Sequence, residues 1–373
     1  MTRYLIGNLR TGRRLVDLNV VRGPWNTDLN SAGRVSATVT LNDPDMAGLL
    51  LRNAATVGQA FLAVVENDTV MEAGPIWTHE YDRDAGTLEI SAAGIWSYFD
   101  HRVLVPVLAA DQSPLGADTN LSGLDLGTIA KRLVQQARSH TGGNVPIVFE
   151  GDRGGGNERN YLGADLKLVG DALSDLTAVD GGPDIMFAPR FTADRLGIEW
   201  VLRTGTADRP RLAAVSAPHA WDLSVPEPAA RKLRVNVTAD RLVGRAWATG
   251  GRSADVALYS RFENQLLVDR GYPLLEAVDS THSTVIRQGT LDGYTREAAR
   301  TGSRPVEFWS FEVDAQTSPQ VGEYQVGDYC TLQIGKDPYL PKGKHRRRIV
   351  ALSGDEDGRW VSVTTGEVYS LDG

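Results

Sequence analysis

Histidine and cysteine, the side chains that most often bind metals or act as nucleophiles, are few and dispersed in this sequence. The one cysteine, Cys330, lies in the strand-like segment Cys330-Thr331-Leu332, a setting typical of a small buried apolar residue. One cysteine forms no internal disulfide. No two histidines have the spacing of a metal site, and they are expected at the surface or in turns. The histidines are His79, His101, His140, His219, His282 and His345.

The motifs of serine and phosphate chemistry are also missing. No G-x-S-x-G elbow occurs that would expose a strained nucleophilic serine. Residues 151–156 are rich in glycine, but no Gly-Lys-Ser/Thr follows to reach phosphate and magnesium. We interpret this run as a flexible or partner-contacting loop. The sequence therefore predicts no catalytic, cofactor-binding or metal-binding residues and no cofactor.

The sequence also contains one dense cluster of acidic residues and one of basic residues. Paired carboxylates about 5–10 Å apart can hydrolyse glycosidic bonds. The densest acidic group, Asp355-Glu356-Asp357, lies between two strand-like runs, however, which favours a solvated hairpin tip. The basic run from Lys342 to Arg348 precedes the strand Ile349 to Leu352. It indicates either salt bridges to another subunit or partner or a solvated surface, and it disfavours sequence-specific DNA binding.

The elements that would position these groups are mostly strands. Val35, Ala37, Val39 and Leu41 alternate with polar residues, the period of a strand with one buried face. Similar runs, separated by turn residues, suggest a barrel or sandwich. The further predicted strands are Phe61 to Val65, Leu88 to Ala92, two in residues 184–203, Leu233 to Val237, Trp309 to Val313, Tyr329 to Ile334, Ile349 to Leu352 and Trp360 to Val363.

Helical periodicity occurs in the middle of the chain. One apolar stripe runs from Leu126 to Ala137, with Asp125 as a plausible N-cap. A second helix is predicted from Asp165 to Val179, ended by Gly181-Gly182-Pro183. Shorter helices are predicted at Asp45 to Leu51 and Asp292 to Thr301. No internal repeat is visible in the sequence.

Length and composition indicate a globular protein of several domains. The 373 residues exceed one ordinary core and fit two or three domains. Apolar residues make up 42% and charged residues 23%, as in soluble proteins. The net charge of −8 argues against a surface that neutralises DNA phosphates. We expect no signal peptide and no membrane insertion, because no apolar run approaches the length of a membrane span.

Four segments resemble the minor tail proteins of actinobacterial siphophages, which are related to the baseplate hub proteins of contractile-tailed phages. The segments are Arg34 to Leu41, Phe61 to Ile76, Gly271 to Glu276 and Val326 to Leu332. The first two resemble that family's strand, short helix and hairpin. The resemblance extends over nearly the whole chain and consists of structural patterns.

The resemblance implies a mainly β fold with an α+β insertion, made of two tube-type β-barrel domains and a mixed, helix-containing domain. Residues 1–105 would form the first barrel. Residues 106–221 and 253–302 would form the mixed domain, and 222–252 and 303–373 the second barrel. In the family, two such barrels per subunit give a homotrimer a pseudo-sixfold ring.

The implied function is that of a structural virion protein at a siphovirus tail tip, assembled in the host cytoplasm and acting in host attachment and DNA ejection. Its partners would be the distal tail protein, the tape measure protein and a tip fibre or other minor tail proteins. DNA would only pass through the lumen. Two alternatives stay open. One is a tail-associated cell-wall hydrolase, and the other is a carbohydrate-binding receptor module that uses exposed aromatics such as Trp25 and Trp221.

Overall fold

The computed structural model describes residues 2–179, 181–214, 218–253, 256–280, 285 and 287–368, and it is mainly β with a few helices. The strands are β1 (Arg3–Asn8), β2 (Arg14–Leu18), β3 (Trp25–Asp28), β4 (Arg34–Thr40), β5 (Ala60–Glu66), β6 (Thr69–Asp82), β7 (Thr87–Ala93), β8 (Thr119–Leu124), β9 (Ile147–Phe149), β10 (Gly154–Tyr161), β11 (Ile185–Phe191), β12 (Ile198–Thr204), β13 (His219–Asp222), β14 (Ala230–Thr238), β15 (Arg245–Ser253), β16 (Val256–Glu263), β17 (Glu276–Asp279), β18 (Val306–Asp314), β19 (Tyr329–Ile334), β20 (Gly343–Gly354) and β21 (Trp360–Glu367). The helices are α1 (Pro44–Ala47), α2 (Leu51–Ala54), α3 (Trp96–Phe99), α4 (Leu126–Ser139), α5 (Val169–Thr177), α6 (Gln265–Asp269) and α7 (Gln288–Thr301).

Thirteen strands form one large, mainly antiparallel sheet. Its main path is β14-β18-β21-β20-β3-β4-β7-β6-β5-β1-β2, and β19 and β13 branch from β20. The two ends of the chain meet where β3 pairs with β20, from Asp28 opposite Ala351 to Trp25 opposite Gly354. The prediction of two tube-type β-barrels needs correction, since the described strands form no closed barrel. Instead, β3 pairs with β4 on one side and with β20 on the other, so strands of the two predicted barrels share one sheet.

The large sheet contains a repeat of strand order that the sequence does not show. The neighbours β3-β4-β7-β6 are matched by β14-β18-β21-β20, with the same antiparallel directions. In each unit the first half of the long strand pairs with one more strand, β5 with β6 and β19 with β20. The equivalent strands also follow in the same order along the chain. We call these two sets of five strands the first and the second unit.

An irregularity in the pairing aligns the two units residue by residue. In the first unit the register of β6 against β7 shifts between Ile76 and Thr78. In the second unit the register of β20 against β21 shifts between Ile349 and Ala351. Such a bulge places one extra residue in the bulged strand and bends it. Ile76 is therefore equivalent to Ile349, and residues 78–81 of β6 are equivalent to residues 351–354 of β20.

Two hydrophobic cores share the strands of the first unit. One core lies inside the curved sheet and contains the inward residues of both units, such as Val39 and Phe311. The second core lies between the outer face of β1, β5 and β6 and a mixed region of α4, α5 and β8 to β12, which we call the α+β region. All seven residues of β5 are buried because Leu62 and Val64 face the first core while Phe61 and Ala63 face the second. This double burial explains why β5 is a continuous apolar run.

The α+β region that covers this outer face contains the best predicted helix. Helix α4 matches its prediction, and the Asp125 side chain caps it by accepting a hydrogen bond from the Thr128 N–H at 2.6 Å. Helix α5 begins at Val169, later than predicted, because Leu166 adopts a left-handed conformation after a short 3-10 turn. Two small sheets, β10-β8 and β11-β12-β9, complete the region.

Three other predictions of local structure require correction. The glycine-rich run is not a loop throughout, since from Gly154 onward it belongs to β10, where Gly154 pairs with Leu124 across a bulge. The predicted helix at Asp45 to Leu51 is replaced by the two short helices α1 and α2. Helix α7 begins earlier than predicted, at Gln288, and packs on the third small sheet, β16-β15-β17.

Candidate interaction surfaces

Cys330, the one residue with nucleophilic potential by type, is fully buried in β19. Burial raises the pKa of its thiol to about 12, so the thiolate is not populated at neutral pH. The prediction of a buried apolar role is confirmed. In the part of the chain that the structure describes, no three His, Cys, Asp or Glu side chains form a group able to hold a metal ion. His282 lies outside the described residues.

The two tryptophans named as exposed aromatics were assigned wrongly. Trp25 and Trp221 are each only 3% exposed and belong to the core of the large sheet. The Trp221 ring packs edge-on against Phe311 and Tyr324, with centroid separations of 5.5 and 5.3 Å. Both side chains take inward positions of their strands, where large apolar surface is most stabilising. These two residues therefore give no support to a carbohydrate-binding surface.

The acidic hairpin lies between β20 and β21, as predicted, and its side chains support the chain around it. The Glu356 carboxylate accepts a hydrogen bond from the Gly23 N–H at 2.6 Å. The Asp355 carboxylate accepts one from the Asp357 N–H at 3.2 Å, which stabilises the turn. A groove of about 520 Å³ lies beside this hairpin, and the Arg231 guanidinium stands 3.5 Å from the centre of the Trp360 ring in its wall.

The basic run divides into exposed and buried cations because it lies mostly in the alternating strand β20. Lys342, Lys344 and Arg346 are exposed, and in the described structure no carboxylate lies within 4.0 Å of them. Arg347 is buried, stands 4.7 Å from the centre of the Trp309 ring and donates to the Glu307 carbonyl at 2.7 Å. The run is thus partly structural, and its exposed half remains open to a partner.

Arg348 belongs to a buried ionic cluster centred on Asp184. Asp184 is fully buried and accepts hydrogen bonds from Arg348 and from the Leu212 N–H, the latter at 2.7 Å. Arg211 lies 3.4 Å from the same carboxylate. In addition, the Asn30 side chain accepts a hydrogen bond from the Ile185 N–H at 2.7 Å. The cluster therefore fixes the α+β region against both units of the large sheet.

The outward face of the large sheet carries short polar side chains at equivalent positions of both units. In the first unit Ser36 and Ser91 lie opposite each other, with their hydroxyl oxygens 3.2 Å apart. In the second unit Ser310 and Thr364 form the equivalent pair. All four are half-buried by their neighbours. Arg34 and Arg234 lie on the same face, as do Glu80 and Glu89, so this face is polar with mixed charge and is not an apolar surface seeking a core.

The large sheet has two free edges of opposite charge, one along the second half of β6, which β5 does not reach, and one along β14. At one edge, Glu80 of β6 lies opposite Glu89 of β7, both exposed, and no cation within 4.0 Å offsets them in the described residues. Like charges placed opposite each other destabilise a sheet. At the other edge, β14 exposes Arg234, which also lacks a carboxylate partner among the described residues. These edges were not foreseen, since nothing in the sequence shows which strands are terminal.

The architecture is similar to that of two solved tail proteins. The tail protein from Neisseria meningitidis MC58 superposes with a TM-score of 0.57 over 98% of this chain and 96% of its own, at 12% identity. The prophage MuSo2 43 kDa tail protein from Shewanella oneidensis gives a TM-score of 0.57, 98% coverage of both chains and 12% identity. At such identity the likeness shows a common fold.

Sequence comparison adds nothing to this likeness. No protein-family description and no curated protein matches the sequence. None of the described helices is both long and apolar enough to span a bilayer.

Proposed function

We propose that this chain is a structural protein of a phage virion, a hub at the tail tip in which three copies form a pseudo-sixfold ring. The observation that carries the proposal is the repeat of two five-strand units joined in one sheet. Two similar units side by side in one chain are what a trimer needs to present six similar positions to a hexameric neighbour. The shared fold with phage tail proteins supports the same location.

The proposed ring connects the tail tube to the tip. The distal tail protein and the tape measure protein would bind on the tube side, and a tip fibre or other minor tail proteins on the opposite side. Each unit corresponds to one tube-type domain, closed in the ring by strands of its neighbours. The protein would reside in the virion and be assembled in the host cytoplasm, as its resemblance to minor tail proteins implies.

The outward polar face of the large sheet is proposed to line the channel through which DNA passes. Serine and threonine hydroxyls at positions such as Ser36 and Ser310 present no fixed positive charge to the phosphates. Protein cations bind DNA by releasing its counterions, so a face on which Arg34 and Arg234 are mixed with carboxylates such as Glu80 and Glu89 holds DNA weakly. The net charge of −8 acts in the same direction.

The proposed role is non-enzymatic. Cys330 is buried and protonated, Asp355 stabilises its own turn, and Glu356 accepts a hydrogen bond from the Gly23 N–H. Neither of the alternative functions, a cell-wall hydrolase or a carbohydrate-binding module, is favoured by an observation in the described structure. If the purified chain lysed host cell walls in a zymogram, the cell-wall hydrolase would be favoured over the structural hub.

The oligomeric state and symmetry test the proposal. Mass photometry over a range of concentrations should show a trimer, and cryo-electron microscopy of that species should show a ring with six similar lobes. A chain that stays monomeric at every concentration, alone and with its proposed tail partners, would refute the hub. Density for the same ring at the tip of the intact tail would place it in the virion.

A further inference from the structure

We propose that neighbouring copies join by antiparallel pairing of β6 in one copy with β14 in the next, in the register that places Asp82 opposite Arg234. This inference rests on the proposed ring and specifies its interface. The partner is thus a second copy of this chain, and the docking surface is the free edge of the large sheet at β6 together with the free edge at β14.

The junction inside the chain supplies the template for the junction between copies. There, the last strand of the second unit, β20, pairs antiparallel with the first strand of the first unit, β3. The strand equivalent to β20 is β6, and the strand equivalent to β3 is β14. If units follow one another around the ring in the same way, the next junction must join β6 to β14 of the following copy. The directions agree, because the order and orientation of strands are the same in both units.

Both strands are free to form this junction. Residues 77–82 of β6 pair only with β7 within the described structure, since β5 pairs with the first half of β6 and stops at Pro75. Strand β14 pairs with β18 on one side and with no other described strand. Free edges offer unpaired N–H and C=O groups and are usually covered in the native assembly.

The register follows from the aligned bulges and from the pairing of the first strands. Residues 351–354 of β20 are equivalent to residues 78–81 of β6. Trp25 is equivalent to Val235, because Trp25 lies opposite Val35 and Val235 lies opposite the equivalent residue Trp309. The next residues are then Asn26 and Asn236, the same type in both units.

Transferring the four pairs of the internal junction gives the contacts between copies. The observed pairs are Ala351 with Asp28, Leu352 with Thr27, Ser353 with Asn26 and Gly354 with Trp25. The corresponding pairs between copies are Thr78 with Thr238, His79 with Val237, Glu80 with Asn236 and Tyr81 with Val235. One step further along both strands, Asp82 lies opposite Arg234.

The side chains at these positions fit the register. Tyr81 is 55% exposed and Val237 is 50% exposed in the single chain, and the junction covers both. Asp82 and Arg234 are both exposed, have opposite charge and lack an ionic partner within the described residues. Arg234 also lies diagonally across from Glu80, at about 7–8 Å between the residues. It therefore relieves the repulsion between Glu80 and Glu89.

Disulfide trapping tests the register directly. Residues opposite each other in an antiparallel pair have Cβ atoms about 4.5–5.5 Å apart, close enough for a disulfide after small adjustment. The variant Glu80→Cys/Asn236→Cys should, on mild oxidation, run as covalent trimers on a denaturing gel, while each single variant stays monomeric there. Cys330 is buried and does not compete.

The matched control is Glu80→Cys/Lys232→Cys, whose second cysteine is exposed but lies beyond the bulge of β14, about 10 Å out of register. It should not cross-link. A charge swap gives a second readout, since Asp82→Arg should lose the trimer at a concentration where the wild type keeps it, and Asp82→Arg/Arg234→Asp should regain it.

The two levels of the proposal fail in different ways. A wild-type trimer without cross-links in the Glu80→Cys/Asn236→Cys variant would overturn the junction and leave the hub intact. Equal cross-linking in the out-of-register control would also overturn it. A wild type that never forms trimers would overturn the hub and the junction together.

Discussion

Glu72 is the side chain whose chemistry the fold changes most. It is 5% exposed in β6, between the two cores, and no cation pairs with it in the described part of the chain. Burial raises the pKa of its carboxyl to about 8, the Asp28 carboxylate adds to the rise, and a hydrogen bond from the Ala73 N–H opposes it. At neutral pH Glu72 is therefore mostly protonated in the folded protein.

This raised pKa predicts the pH dependence of stability. Between the ordinary pKa of 4.5 and the folded value of about 8, the folded state binds more protons than the unfolded state. The free energy of unfolding must then fall as the pH rises through this window. In Glu72→Gln this fall should be reduced by an amount on the order of a few kcal/mol.

Urea denaturation at pH 5 and pH 8 measures the effect. Glu89→Gln, which removes an exposed carboxylate, is the matched control and should retain the wild-type fall. Equal pH dependence in the wild type and Glu72→Gln would show that Glu72 is ionised in the folded protein.

Residue type alone predicts only in part which side chains are buried and which form a surface. The sequence predicted the fate of Cys330, because a cysteine within an alternating strand points to a core position. It did not predict the burial of Trp25 and Trp221, since an aromatic next to a proline or a polar residue suits a core, a groove or a surface equally well. Which of these applies depends on the strand that packs over it.

At the scale of elements, the cap of α4 combines two roles in Asp125. Besides capping the helix, this 2% exposed carboxylate accepts a hydrogen bond from Arg153 Nε at 2.6 Å. Asp125→Ala should therefore cost about 2 kcal/mol or more, above an ordinary cap, because Arg153 loses its partner as well. Asp125→Asn keeps a capping oxygen and should cost less. Chemical denaturation of both variants tests the order. Equal losses would show that the capping oxygen contributes nothing, and an Asp125→Asn variant as stable as the wild type would contradict the second role.

Arg348 adds an ionic contact between the α+β region and the large sheet to the apolar contacts of the second core. Replacing it by methionine leaves the buried Asp184 with Arg211 at 3.4 Å as its remaining cation in the described residues. We expect a loss of about 3 kcal/mol, since one partner of a buried pair is removed. Asp184→Asn/Arg348→Met should recover part of it, because no buried charge is then left unpaired.

Arg3→Met provides the control for this comparison. Arg3 pairs with Asp68 at 2.8 Å, but both side chains are largely exposed, so the loss should stay below about 1 kcal/mol. Equal losses for Arg3→Met and Arg348→Met in urea denaturation would show that the cluster does not hold the α+β region.

Local elements were predictable where one face alone is buried. Strand β4 and helix α4 show their periods clearly, because inward and outward residues differ in polarity. The glycine-rich start of β10 was missed, since its pairing with β8 is set by main-chain bonds and not by its side chains. Short helices such as α1 and α2 also escape prediction, as so few residues give no periodic signal.

At the scale of the whole molecule, the sequence does not reveal the repeat of the two units. Equivalent positions share their strand pairing and the direction of their side chains, but not their residue types. Val35 and Trp309 occupy equivalent positions, yet one is small and the other large. The neighbours in each core compensate, since total volume and polarity pattern matter more than individual residues. Strand pairing between the chain ends, such as β3 with β20, is likewise a long-range choice that no local pattern encodes.

The repeat leads to a test of the proposed channel. Ser36 and Ser310 are equivalent positions on the outward face, so Ser36→Lys/Ser310→Lys would place lysines all around the proposed channel. The wild type should bind duplex DNA weakly at low salt. The variant should bind it with an affinity that falls steeply with salt, by a slope of about −0.9 for each phosphate contacted.

The control Ser113→Lys/Ser122→Lys adds the same charge at exposed positions of the α+β region. Fluorescence anisotropy of labelled DNA, with circular dichroism to confirm folding, compares the three proteins. If the channel is lined by this face, only the Ser36→Lys/Ser310→Lys trimer surrounds DNA with cations, and its salt slope must exceed that of the control. Equal slopes would mean that these serines face the outside of the ring, because the effect would then depend on charge alone and not on its position.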